Sequence, residues 1–156
     1  MAEFRCAIEF RQDDTRLTPG RMFGTLIRYG EVASDRRELF MPGALYWPTD
    51  GILVREMHNR QAPIVRVVPE VRGNLVVIDA PLPDTTRGRD MAVGIRERIY
   101  SGLSVEFAAE REDVQDGIRR IHRAALRGAG LVDDPAYAGS RVEVRGKRRR
   151  ALWPLL

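Results

Sequence analysis

A chain of 156 residues, 44% hydrophobic and 31% charged, can bury one core but is too short for two ordinary ones. No apolar run approaches the roughly 20 residues of a spanning helix, and Met1-Ala2-Glu3-Phe4-Arg5 lacks the basic and apolar stretches of a secretory signal, so a soluble, non-exported protein without membrane contact is expected. The formal net charge is +4, but residues 1–140 carry 20 basic against 21 acidic side chains and residues 141–156 six against one, so the body sums to −1 and general nucleic-acid binding by it is excluded.

In chain order, Phe4-Arg5-Cys6-Ala7-Ile8-Glu9-Phe10 alternates apolar and polar residues and predicts a half-buried strand. The single Cys6 within it cannot form an internal disulfide and reads as a core residue. A second strand is predicted over residues 22–29. Leu39-Phe40-Met41 is a short apolar run closed by Pro42-Gly43, and residues 44–47 predict one turn of helix before Pro48 stops it. Strands follow around residues 52–55, 64–68 and 75–78. The clearest helix spans about residues 85–100, capped by Asp84 or Thr85, with Met91, Ile95 and Ile99 forming an apolar stripe and Ser101-Gly102 ending it.

Residues 103–109 and 118–132 read as two strands of a hairpin about Asp116-Gly117, a strong tight-turn signal. That register sets Ser104 opposite Gly128 or Ala129 and brings His122 near Arg111, about 23 Å along the strand from Ser104. Residues 141–145 alternate as a last strand. The expected organisation is one domain over residues 1–145, followed by a basic, flexible tail over 146–156 that could contact a polyanion.

The chain has only two histidines, so a serine nucleophile has few possible general bases, and imidazole titrates in the range that task requires. His58 in Val54-Arg55-Glu56-Met57-His58-Asn59-Arg60 and Ser104 in Ser101-Gly102-Leu103-Ser104-Val105-Glu106-Phe107 are the candidate pair. The hairpin register leaves His122 as an edge or surface histidine.

Six pieces in order, namely residues 20–33, Phe40-Met41-Pro42-Gly43-Ala44-Leu45, His58-Asn59, residues 84–90, residues 101–107 and Leu131-Val132-Asp133-Asp134-Pro135-Ala136-Tyr137, resemble the tailed-phage prohead serine proteases. The resemblance implies an α+β, mainly β fold like that of herpesvirus assemblin: a compact antiparallel β-barrel flanked by one long and one or two short helices. It also implies a serine endopeptidase of capsid maturation in the host cytoplasm, inside the procapsid or virion, cleaving scaffold and the major capsid protein precursor. Ser104 would be the nucleophile and His58 the general base, with no cofactor and no metal. By analogy with the herpesvirus enzymes a homodimer is implied, and the basic tail could contact DNA or the acidic capsid interior.

Three positions depart from the family pattern: Asn59 stands where Asp often follows the histidine, Glu106 where Gly is usual, and Gly128 where a glutamate commonly forms the third catalytic member. Glu106, two residues from Ser104 on the same strand face, is the candidate substitute acid. The alternative is a catalytically degenerate homologue acting as a non-enzymatic capsid assembly or binding factor, which Gly128 and the short chain favour.

Overall fold

The computed structural model describes residues 19–33, 36–137 and 139–146. The strand expected at residues 4–10, with Cys6, and the tail beyond Gly146 lie outside the described residues. The remainder is mostly β with one helix, an α+β architecture. In chain order the elements are β1 (Arg21–Arg28), β2 (Glu38–Phe40), β3 (Leu45–Tyr46), β4 (Ile52–Glu56), β5 (Pro63–Val67), β6 (Glu70–Arg72), β7 (Leu75–Pro81), α1 (Thr86–Arg96), β8 (Gly102–Gln115), β9 (Ile118–Val132) and β10 (Val142–Arg145).

They form two sheets. One is antiparallel with the order β10-β1-β7-β6. The other is built on β9, which pairs antiparallel with β8 along one whole edge. Its other edge takes β2, β3 and β4 in succession, all parallel to it, and β5 closes antiparallel on β4. Two expectations are corrected here. Among the described residues the sheets do not close into a barrel, and the pairing is mixed, because loops between β2, β3 and β4 return each strand to β9 in the same direction. Among the described residues α1 is the helix present, with no shorter helices beside it. Residues 44–47 carry β3 instead of a helical turn: after the turn at Gly43, Ala124 N–H bonds the Ala44 carbonyl and Leu45 and Tyr46 join β9, so sheet pairing overrides local preference.

The alternating pattern buries Met22, Leu26, Ile78, Ile52, Val54, Leu126, Ala129 and Leu131, and one core cluster takes residues from both sheets and from α1. In α1, Thr85 Oγ1 accepts from Gly88 N–H at 3.0 Å as N-cap. The helix stops at Arg96, one turn earlier than its apolar stripe predicts. Arg98 turns left-handed at φ 57°, its N–H bonds the Ile95 carbonyl, and Ile99 N–H bonds the Gly94 carbonyl, a Schellman ending with arginine where glycine is usual. Ile99 is therefore exposed while Met91 and Ile95 are buried.

Candidate active site

The β8–β9 hairpin turns on Asp116 and Gly117, both left-handed, as a tight two-residue turn requires. Toward its base the register slips. Phe107 faces Leu126 but Glu106 faces Gly128, so Arg127 is an extra residue in β9, and Ser104 lies opposite Gly130. The expected partners Gly128 and Ala129 are thus displaced, because a β-bulge cannot be counted from the turn. The same β9 glycines face β4, with Leu53 beside Gly128 and Arg55 beside Gly130.

Side chains on one face of a strand recur every second residue, and directly paired residues share a face. The outer face of the sheet therefore carries Ser104 and Glu106 on β8, Gly130 and Gly128 on β9, and Arg55 on β4. The inner face carries the buried Leu103, Ala129, Leu131 and Val54. Two glycines, alternate along β9, make a trough between β8 and β4, and side chains from both flanks fill it. A Cβ on Gly130 would stand 2.6–2.7 Å from Cε1, Nδ1 and Nε2 of His58, and one on Gly128 would stand 2.4 Å from Glu106 Oε2. The His58 ring thus rests on Gly130, the cross-strand neighbour of Ser104, and the Glu106 carboxylate lies over Gly128.

His58 reaches this place from the turn after β4. Asn59 N–H bonds the Glu56 carbonyl at 2.8 Å, and Met57 and His58 between them are left-handed at φ 49° and 58°. Neither central residue is the Gly or Asn that such turns favour, and backbone of this kind persists where the surroundings over-determine it. Met57 N–H bonds the Leu131 carbonyl at 2.9 Å, and the Glu56 carboxylate accepts from Tyr100 Oη–H at 2.6 Å and from Arg87 Nη1 at 3.4 Å. The hydrogen bond to Glu56, with burial second, pushes the Tyr100 hydroxyl up to about 12, so at neutral pH Tyr100 donates to Glu56 and does not serve as a base. Asn59 Oδ1 accepts from Gln61 N–H at 3.0 Å, a turn that Asp makes equally well.

His58 Nδ1 lies 2.8 Å from Glu106 Oε1. A carboxylate only accepts, so Nδ1 donates, which leaves Nε2 of the neutral ring with its lone pair free. The Ser104 hydroxyl makes no hydrogen bond among the described residues. The Ser104 hydroxyl, the His58 imidazole and the Glu106 carboxylate thus share one face, an arrangement suited to general-base activation of a serine. His122 is elsewhere: an extra residue of β9 beside the Arg111–Arg123 pair, it sets Nε2 3.0 Å from Asp113 Oδ2. No cluster of three or more metal-ligating side chains occurs among the described residues. Sequence reasoning passed over Gly130 and Arg55. The signal for the first was glycine at alternate positions inside a strand, a mark of close approach by another group.

Residues 65–152 match the model of a family described as caudovirus prohead serine protease. The match covers more than half the chain and includes Ser104, Glu106 and both trough glycines, while His58 precedes it. No curated protein and no solved structure matches the chain.

Proposed function

Since the chain belongs to the caudovirus prohead serine protease family, we propose that it is a serine endopeptidase of capsid maturation working through Ser104, His58 and Glu106. Ser104 Oγ adds to the scissile carbonyl carbon as His58 Nε2 takes its proton. The imidazolium returns that proton to the leaving amine, and water then hydrolyses the acyl-enzyme with His58 again as base. Glu106 holds Nδ1–H so that Nε2 is the basic nitrogen. The observation that carries this reading is the 2.8 Å contact between His58 Nδ1 and Glu106 Oε1 over a strand pair that includes Ser104.

The family's glutamate is expected at 128 and its glycine at 106; here the two residue types are exchanged across one directly facing pair. A carboxylate launched from either side of that pair can occupy the same space above the trough, so Gly128 does not deprive His58 of an acid. This weakens the main argument for a degenerate assembly factor.

The major capsid protein precursor and scaffold are the proposed substrates, met inside the procapsid. Co-expression of the chain with both tests this: shortened capsid protein and scaffold are expected with the unaltered protein and full-length ones with Ser104→Ala. Co-assembly with nothing shortened by either protein would favour the non-enzymatic assembly factor.

A further inference from the structure

The carboxylate of Glu106 has two oxygens, and the proposed mechanism uses one. Oε1 meets His58, while Oε2 lies 3.3 Å from Nη1 of Arg55. Arg55 reaches it from the outer face of β4, which runs in unbroken register along β9 with Leu53 beside Gly128 and Arg55 beside Gly130, while on the other side β5 bulges at Ile64, so that Val54 faces Val65 but Arg55 faces Pro63. The contact also depends on Gly128, whose Cβ would stand 3.2 Å from Arg55 Nη1 as well as 2.4 Å from Glu106 Oε2.

The guanidinium gives something up to be there. Its Nε is buried without a hydrogen-bond partner, and a buried orphan donor carries a desolvation cost. Glu106 is the ion-pair partner of Arg55 among the described residues. Arg55 therefore sits where its own hydrogen bonding is incomplete and where it engages the oxygen of Glu106 that His58 leaves free.

A carboxylate held at one oxygen only can swing about its stem and take the imidazole with it, whereas one held at both presents a fixed acceptor. The structure assigns Arg55 as a positioning residue: by clamping Oε2 it fixes Oε1 on Nδ1 and so aims Nε2 of His58. This rests on the reading of Ser104 as nucleophile. The clamp uses a single Nη1 contact, not a two-pronged fork, so a lysine of sufficient reach can replace it.

The test measures the rate at which a fluorophosphonate probe labels Ser104 in the full chain, for the unaltered protein, Arg55→Met, Arg55→Lys, Glu106→Gln and the double variant Arg55→Met/Glu106→Gln. Arg55→Met is expected to slow labelling about 10- to 100-fold and Arg55→Lys to recover most of that loss, while in the Glu106→Gln background Arg55→Met changes the rate by less than about twofold. Equal slowing by Arg55→Met in both backgrounds overturns the proposal, because Arg55 would then act other than through Glu106. Undiminished labelling in Arg55→Met does the same. If the unaltered protein takes no label on Ser104, the nucleophile reading fails and Arg55's role fails with it; labelling with additive effects removes Arg55 alone.

Should Arg55→Met fold poorly, the proton resonance of His58 Nδ1–H gives a reading independent of activity in Arg55→Gln and Arg55→Lys. It is expected to be lost to solvent exchange in Arg55→Gln and kept in Arg55→Lys. Persistence in Arg55→Gln overturns the proposal.

Discussion

At Gly128 and Gly130 a single methyl group would displace the side chains that lie over the trough. Adding Cβ at Gly130 drives it into three atoms of the His58 ring, so Gly130→Ala should cut labelling of Ser104 sharply while leaving cooperative unfolding intact. Glu106→Gln keeps the volume but removes the charge and turns one of the two acceptor oxygens into a donor amide, so the tautomer is no longer fixed; a loss on the order of 10²- to 10⁴-fold in kcat with little change in KM is expected, as for triad orienting residues. The exchange across the facing pair makes a sharper case: Glu106→Gly should be inactive and Glu106→Gly/Gly128→Glu should regain activity, measured on the same substrate. The sequence named His58, Ser104 and Glu106 as candidates because the chain has two histidines and because the family resemblance marks the serine, the histidine and the place where an acid is missing. Arg55 and Gly130 were not legible, since their roles arise from alignment across three strands and one bulge, which no local pattern encodes.

The elements that deliver these residues differ in how their ends are held. Glu56, which anchors the His58 turn, is tied to Tyr100 at the end of the α1 segment. The Tyr100 hydroxyl is raised in the folded protein, so the neutral form is favoured there. The corresponding stability is full below the ordinary tyrosine range and is lost as pH rises through about 12. Tyr100→Phe should delete one late-ionising phenol from the ultraviolet titration. At the far end of the hairpin, Arg120 above all, with burial opposing and His122 adding, holds the Asp113 carboxyl down to about 2. A lowered folded value means that this contribution is present above the ordinary aspartate range and fades as pH falls toward 2, so amide protection in the outer hairpin, measured against the intrinsic exchange rate at each pH, should fall between about pH 4 and pH 2. Strands β1, β4, β5 and β7, the helix start and the tight turn were all readable from alternation, an N-cap threonine and Asp-Gly. The helix end was not, because Arg98 takes the left-handed position that glycine normally advertises, and neither was β3, whose two residues are strand only through β9.

Over the whole molecule, β9 connects stability to the site: its inner face buries Ile121, Leu126, Ala129 and Leu131 while its outer face supplies the trough. The two faces separate the two properties. Phe40 is fully buried and meets the Phe107 ring edge-on at 4.8 Å between centroids, so Phe40→Ala should cost about 3–5 kcal/mol of unfolding free energy, read from denaturant melts. Labelling of Ser104 below the transition should be nearly unchanged. The class, mainly β with one helix, was visible in the pattern of short alternating segments. The open, mixed pairing was not, because the direction in which β2, β3 and β4 meet β9 depends on loops that carry no periodic signal. The proposed chemistry requires Ser104 to be the activated nucleophile, and peptide mapping by mass spectrometry after fluorophosphonate treatment detects such a serine. One adduct is expected on Ser104, absent from Ser104→Ala and strongly reduced in His58→Ala; an unlabelled protein, or an adduct that persists in Ser104→Ala, would overturn the assignment of Ser104.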